Sequence, residues 1–583
     1  MKYTIKYANP SQQYIPISAE INCENLNELT LQFPVWRPGR YERGDFAKNV
    51  KNFVVYDDQK KKLRAVKTSK DTWCVNTENT NTIKVTYYYF GAELNAGSTF
   101  MDDTQLYVNP VNCLVYVKSM QNEPCTLALE IPPNFEIACG AKQEGNLIYC
   151  ADYHELVDSP FIASGGMLHK TYETLGRTFH LWFQGNPDLD WSKIISDFEK
   201  FTLCQIEKFS SRRDKIVGFP KEDYHFLFQI LPIKAYHGVE HKTSTVIALG
   251  PDTDLMTKLY DEFLGVSSHE LYHVWNIKSI RPLEMYPYDY STENYSHLGY
   301  VAEGVTTYMG DVFLALSQVK DFTWYKMEME KLLQRHFDNV GRYNYSVAES
   351  SWDTWLDGYV KGAPGRKVSI YNEGALLAFV MDMKIRKASN NKSSLHNVMY
   401  DLYHEYALKD KGYTTTDYKA LCEKYYGNNL DDYFNHFIFG THPFESILVE
   451  VFETIGFTLE MEDNPNHVQR ILGMKLKIEP NGTETIIDIL PGSSAELGGL
   501  MIGDQIETIN GEKVENDLNA VLEKYQENPL EVTLIRMGRK LELICPNTNR
   551  AMYPIYKIKK AKGPSNLNKR IFKGWIGSNW EDC

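Results

Sequence analysis

No stretch of the 583-residue chain stays apolar and uncharged over the roughly 20 residues that a membrane helix requires. The opening residues, MKYTIKYANPSQQYIPIS, lack the apolar core of a secretory signal. A cytoplasmic enzyme is therefore expected, or a periplasmic or secreted one if a leader has been removed. Cysteine is sparse: ten residues lie scattered from Cys23 to Cys583 with no CxxC pair. That excludes a dense disulfide framework and suits free thiols in a reducing compartment. Basic charge is short as well. The chain has 62 Lys and Arg against 76 Asp and Glu, a net charge of −14, which argues against nucleic acid or an anionic membrane as the main partner. Internal repeats and low-complexity tracts are absent.

What is present is ordinary globular material, 43% hydrophobic and 24% charged, but too long for one core. Three or more units are expected. Residues 1–165 alternate or are β-branched and aromatic, as in Asn27–Phe33, Thr82–Phe90 and Cys125–Ile131, with Asn, Gly and Pro turns between. Within them Pro34–Tyr41 (PVWRPGRY) reads as a tight Pro-Gly turn with a packed tryptophan. Residues 166–455 begin with strands and continue as helices, with helical spacing at Trp191–Phe209 and a strand at Asp223–Pro232. Residues 466–546 form a further unit with an Asn-Gly hairpin turn at Asn510-Gly511. The remainder, 547–583, is a basic tail (KIKKAK at Lys557–Lys562), and such charge runs are usually solvated.

The chemistry concentrates in His269-Glu270-Leu271-Tyr272-His273, an HExxH sequence. Histidines four apart share one helix face, so both imidazoles reach one zinc ion, and the glutamate between them is placed as general base toward a water there. By itself the pattern also fits an amphipathic helix with two surface histidines. A catalytic zinc needs a third protein ligand. Glu303, on the next predicted helix (AEGVTTY), is the candidate; its plain alternative is a helix-start glutamate favoured by the macrodipole. The oxyanion of peptide hydrolysis also needs a donor. Tyrosine is a usual supplier, but with 39 tyrosines spacing alone selects none.

HELYHVWNIKSIRP followed by AEGVTTY resembles the glycyl aminopeptidase family of zinc metallopeptidases, which are gluzincins with a thermolysin-like catalytic domain. The likeness extends over most of the chain: Pro34–Tyr41 is similar to the family's P-x-W-x-P-G-x-Y stretch, Asp158-Ser159-Pro160 to its D-x-P segment, and Pro491–Gly511 to its PDZ domain. It implies a multidomain α+β protein: an N-terminal β-rich domain, a thermolysin-like α+β catalytic domain, a C-terminal PDZ domain and a tail. It implies one Zn²⁺ per chain on His269, His273 and Glu303, with Glu270 as general base. Tyr371 matches the tyrosine of a Y-x-K-G segment that binds the oxyanion, with Glu373 in place of the lysine. Gly238-Val239-Glu240-His241 resembles the family's G-G-L-E-H segment, on a strand edging the cleft. There Glu240 would hold the free α-amine of the substrate, and His237 replaces the first glycine. The PDZ domain would take a peptide or protein C-terminus. Its candidate carboxylate loop is Leu472-Gly473-Met474, which also reads as a plain strand entry.

The expected activity is removal of small N-terminal residues, Gly or Ala, from peptides with a free N-terminus. Two alternatives stay open from the sequence: a PDZ-regulated zinc endopeptidase and a non-catalytic peptide-binding scaffold.

Overall fold

The computed structural model describes residues 1–583 apart from 25, 212–216, 361, 480–481, 515–516, 526–528 and 549. The N-terminal β-rich domain holds an eight-stranded sheet and two four-stranded sheets. Tyr14–Asn22 pairs along its whole length with Thr82–Phe90. In both strands every second residue is buried, the period that puts one face on a core and leaves the other exposed. Trp36, Tyr87 and Tyr116 fill that core.

The second unit is built on a five-stranded sheet in the order Leu168–Thr174, Arg177–Gln184, Asp223–Ile230, Ser244–Gly250, Ala235–Glu240. The three inner strands run parallel, and Ala235–Glu240 is an antiparallel edge. Every residue of Ser244–Gly250 is buried, as expected of a strand covered on both faces. Helices cover one face, where Phe226 and Phe228 meet Phe198 and Phe263. The N-terminal domain covers the other, where Val246 and Ala248 share a cluster with Tyr107, Ala138 and Ile162.

Four helical segments frame the groove beside the edge strand: Tyr260–Tyr272, Thr306–Leu316 with a π-helical turn Tyr300–Val305 ahead of it, Phe322–Asp338, and Ile370–Ala388. Gly304 and Gly374 let two of them cross in backbone contact. A Cβ on Gly304 would stand 2.3 Å from the Gly374 Cα, so no other residue fits without moving a helix. The crossing sets Glu303 and Tyr371, one beside Gly304 and the other a turn before Gly374, at the same place.

The C-terminal arrangement corrects one expectation. Residues 547–583 are not a separate solvated tail. The chain leaves the second unit along Phe457–Glu462, forms a six-stranded sheet between Met474 and Cys545, and returns along Ile555–Lys560, antiparallel to the strand by which it left. Helix Asn566–Ile576 then buries Ile571, Phe572, Trp575 and Ile576 in the core of the second unit. The Trp575 indole donates to the Tyr308 phenol oxygen at 2.9 Å. The basic run misled because it alternates: Ile558 is buried, while Lys557 pairs with Glu330 at 2.8 Å and Lys559 with Glu462 at 2.6 Å. No helix among the described residues is long and apolar enough to cross a membrane.

Candidate active site

His269 lies in the last turn of Tyr260–Tyr272 and His273 caps it. Their Nε2 atoms are 3.0 Å apart. Oε2 of Glu303, from the π-helical turn, is 3.4 Å from His273 Nε2 and 3.9 Å from His269 Nε2. One donor atom from each of the three residues lies within 4.8 Å of the others, a two-imidazole, one-carboxylate set suited to catalytic zinc. The tautomer fits as well. His273 Nδ1 faces the Asn276 carbonyl at 2.8 Å and must carry the proton, which leaves the Nε2 lone pair for a metal. Asn276 also ties the turn in place, donating from Nδ2 to the Val301 carbonyl at 2.8 Å and the Ala302 carbonyl at 3.2 Å. A π-helical turn leaves carbonyls that need such partners.

Three buried carboxylates, Glu240, Glu270 and Glu303, surround the two imidazoles. Burial works against a charged His273, yet Glu303 first and then Glu240 and Glu270 raise it to about 10. His269 goes the other way, pushed down by burial and by His273. This surplus of negative charge is what a divalent cation would balance. Burial, with Glu240 and Glu303, also pushes the Glu270 carboxyl up despite the opposing pull of His273.

The edge strand comes very close to Glu270. A Cβ on Gly238 would stand 2.1 Å from Glu270 Oε1, so glycine is required there. Two residues on and on the same face, Glu240 is 3% exposed, and its Oε1 has no partner among the described residues. The N-terminal domain closes this end of the groove. Gly39, with φ of +81°, sits so near that a Cβ would be 2.4 Å from Glu240 Oε2. Val239, by contrast, does not offer its side chain to the groove. Period two turns it to the opposite face, where it packs in the inter-domain cluster with Tyr107 and Ile162.

Tyr371 opens helix Ile370–Ala388, its ring 6.5 Å from that of His269 and its phenol 3.3 Å from the Tyr359 phenol. Burial first, and then Glu303, raises its phenol well above the ordinary value, so it stays a proton donor. Glu373, two residues on, points away from the groove and meets His336 Nδ1 with both oxygens at 2.8 Å.

The candidate carboxylate loop Leu472-Gly473-Met474 reads differently in three dimensions. Leu472 and Met474 are buried in the PDZ core, and Gly473, at φ +68°, ends a helical turn with its amide on the Gln469 carbonyl at 3.1 Å. That amide is already committed and is not free to hold a carboxylate.

Sequence reasoning missed the contribution of the N-terminal domain. Tyr41 donates to Glu303 Oε1 at 3.1 Å, and Arg37 reaches His237 Nε2 at 3.3 Å. Both belong to the PVWRPGRY turn, whose Trp36 is fully buried and donates to the Asp289 carbonyl at 2.8 Å. The turn is thus anchored in the catalytic unit. The D-x-P segment is another such contact: Asp158 accepts from Lys278 Nζ at 2.7 Å and meets His241 Nδ1 at 3.1 Å.

A groove between a sheet edge and a helical layer, floored by two histidines and a glutamate with a further glutamate alongside, defines a zinc metallopeptidase. Family models agree. Residues 2–165 match the Peptidase M61 N-terminal domain, residues 262–377 the M61 glycyl aminopeptidase, and residues 458–533 the PDZ domain. The chain thus carries the N-terminal and catalytic domains of the M61 glycyl aminopeptidase family, and these support a zinc aminopeptidase. Among solved structures it is similar to an aminopeptidase N family protein from Idiomarina loihiensis, with a TM-score of 0.89 at 24% identity over 99% of both chains, which shows the shared fold. An M1 zinc metallopeptidase from Deinococcus radiodurans bound to Tyr-Ser-Ala is more distant: TM-score 0.44, 12% identity, 73% of this chain and 90% of that one. No curated protein matches the sequence.

Proposed function

We propose that the enzyme removes small N-terminal residues, Gly or Ala, from peptides, with one Zn²⁺ held by His269, His273 and Glu303. The ion would supply Lewis acidity to the scissile carbonyl and acidify water in the groove. Glu270 takes the proton from the attacking water and returns it to the leaving amine, a shuttle that its raised proton affinity favours. Tyr371 donates its phenol proton to the developing oxyanion. Glu240 accepts the substrate's α-ammonium, and Gly238 lets the peptide backbone lie against the edge strand beside Glu270.

The observation that carries this reading is Glu240. A carboxylate 3% exposed, with one oxygen unpartnered, stands where the PVWRPGRY turn closes the groove. A buried unpaired acceptor is costly unless a ligand completes it, and the α-ammonium of a chain end does so. The PDZ domain is proposed to bind a peptide or protein C-terminus, on a surface other than the Gly473 amide.

The test is kcat/KM on alanyl and glycyl chromogenic amides for wild type and Glu240→Ala. A drop of about 100-fold or more is expected, since a charge-assisted hydrogen bond and a neutralised buried charge are both lost. Activity surviving within a few-fold contradicts the role of Glu240.

A further inference from the structure

We propose that Arg37 makes this enzyme favour an acidic N-terminal residue, aspartate above all, over the neutral small residues it also admits. The inference rests on the aminopeptidase reading, in which Glu240 holds the α-ammonium.

Arg37 is 5% exposed, yet among the described residues its guanidinium has no ion pair. It donates from Nη1 to the Pro38 carbonyl at 3.4 Å and from Nη2 to His237 Nε2 at 3.3 Å, both long contacts. The histidine accepts because it is neutral: burial first, then Arg37 and Arg40, push it down to about 3. A guanidinium so far out of water normally has a carboxylate in contact, and the described residues provide none, Glu240 acting on it only at longer range.

The cation is also aimed. A Cβ on Gly97 would stand 2.2 Å from Nε, Cζ and Nη2 of Arg37, so the guanidinium lies against the Gly97 backbone. With Gly97, Arg40, Asn95 and Ser98 it lines a cavity of about 510 Å³ in the N-terminal domain, so it is not sealed away. Its location matters most. Arg37 shares a turn with Gly39, which touches Glu240, and its partner His237 shares a strand with Glu240. In the proposed binding mode, a substrate whose amine sits on Glu240 directs its first side chain toward this corner. A side-chain carboxylate would accept two N–H bonds from the guanidinium fork. The turn's closeness to Glu240 favours aspartate over the longer glutamate. Lysine and arginine side chains would meet an unscreened like charge there.

The experiment compares kcat/KM for aspartyl, glutamyl, alanyl and lysyl chromogenic amides on the zinc-loaded full chain. Aspartyl is expected to exceed alanyl by about tenfold or more, the worth of one charge-assisted bond, with lysyl lowest. An aspartyl rate equal to or below the alanyl rate overturns the proposal. Arg37→Gln should bring the aspartyl-to-alanyl ratio down at least tenfold. Gly97→Ala, which displaces the guanidinium without removing it, should move the ratio the same way. A ratio unchanged in both variants also overturns the proposal, and the wild-type panel stands if either variant fails to fold. Hydrolysis of alanyl amides without aspartyl preference defeats this inference alone. No hydrolysis of any free-amine substrate defeats the aminopeptidase reading and this inference with it.

Discussion

Tyr41 of the N-terminal domain donates its phenol proton to Oε1 of Glu303, 3.1 Å away and 262 residues on in sequence. Burial first and Glu303 second raise the phenol well above its ordinary value, so it remains a donor. The bond leaves Oε2, the oxygen that faces both histidines, for the metal. Partners behind a ligand typically contribute 10–100-fold in metal affinity. Tyr41→Phe should weaken zinc binding by that factor, read by chelator competition. An unchanged affinity would mean that the bond is incidental.

Glu270→Gln keeps the shape of the groove and removes the base. Hydrolysis should fall by a factor of about 10² to 10⁴ while zinc content stays at the wild-type level. Hydrolysis at the wild-type rate with zinc bound would assign the proton shuttle elsewhere.

The His336–Glu373 pair is buried on both sides, with side chains 0% and 4% exposed. It joins helix Phe322–Asp338 to the first turn of the helix that carries Tyr371. Removing one partner leaves the other polar group stranded, at a cost of about 1–3 kcal/mol. Glu373→Ala should lower the denaturation free energy by that amount. Glu373→Gln, which still accepts from His336, should lose less. Equal losses would show that only packing matters there.

Asp158 carries a pH dependence. Burial alone would raise its carboxyl, but Lys278 and His241 outweigh burial and hold it well below the usual carboxylate range. The folded protein therefore keeps Asp158 ionised where the unfolded chain has begun to protonate it. The stabilisation is complete above about pH 4 and disappears as pH falls toward the depressed folded value. Urea midpoints are expected to drop below about pH 4, and to drop less steeply in Asp158→Asn. Identical acid slopes in both proteins would place the acid sensitivity on other groups.

The linear motifs carried much of the site. HELYH needs only helical spacing to bring His269 and His273 together, and Glu303, Tyr371 and Glu240 each sat in a short recognisable segment. Contacts between domains were another matter. Tyr41 and Arg37 lie in a turn that reads locally as Pro-Gly geometry with a packed Trp, and nothing local announces that Trp36 plugs it into the other domain. Val239 was grouped with its neighbours because a motif names consecutive residues, whereas a strand turns alternate ones away. The segment after the PDZ domain hid a strand inside its lysines, because the two-residue period of Ile558 and its neighbours is short and the net charge dominates the reading. The partner strand Phe457–Glu462 lies about a hundred residues earlier, so no local pattern could reveal the pairing.

Whether Glu240 makes the groove read a chain end is decided by one peptide in two forms, free and N-acetylated, incubated with the zinc-loaded enzyme and followed by mass spectrometry. The free peptide is expected to be shortened from its N-terminus one residue at a time, while the acetylated peptide stays intact. Internal cleavage of the acetylated peptide at a comparable rate would contradict this expectation and make the enzyme an endopeptidase.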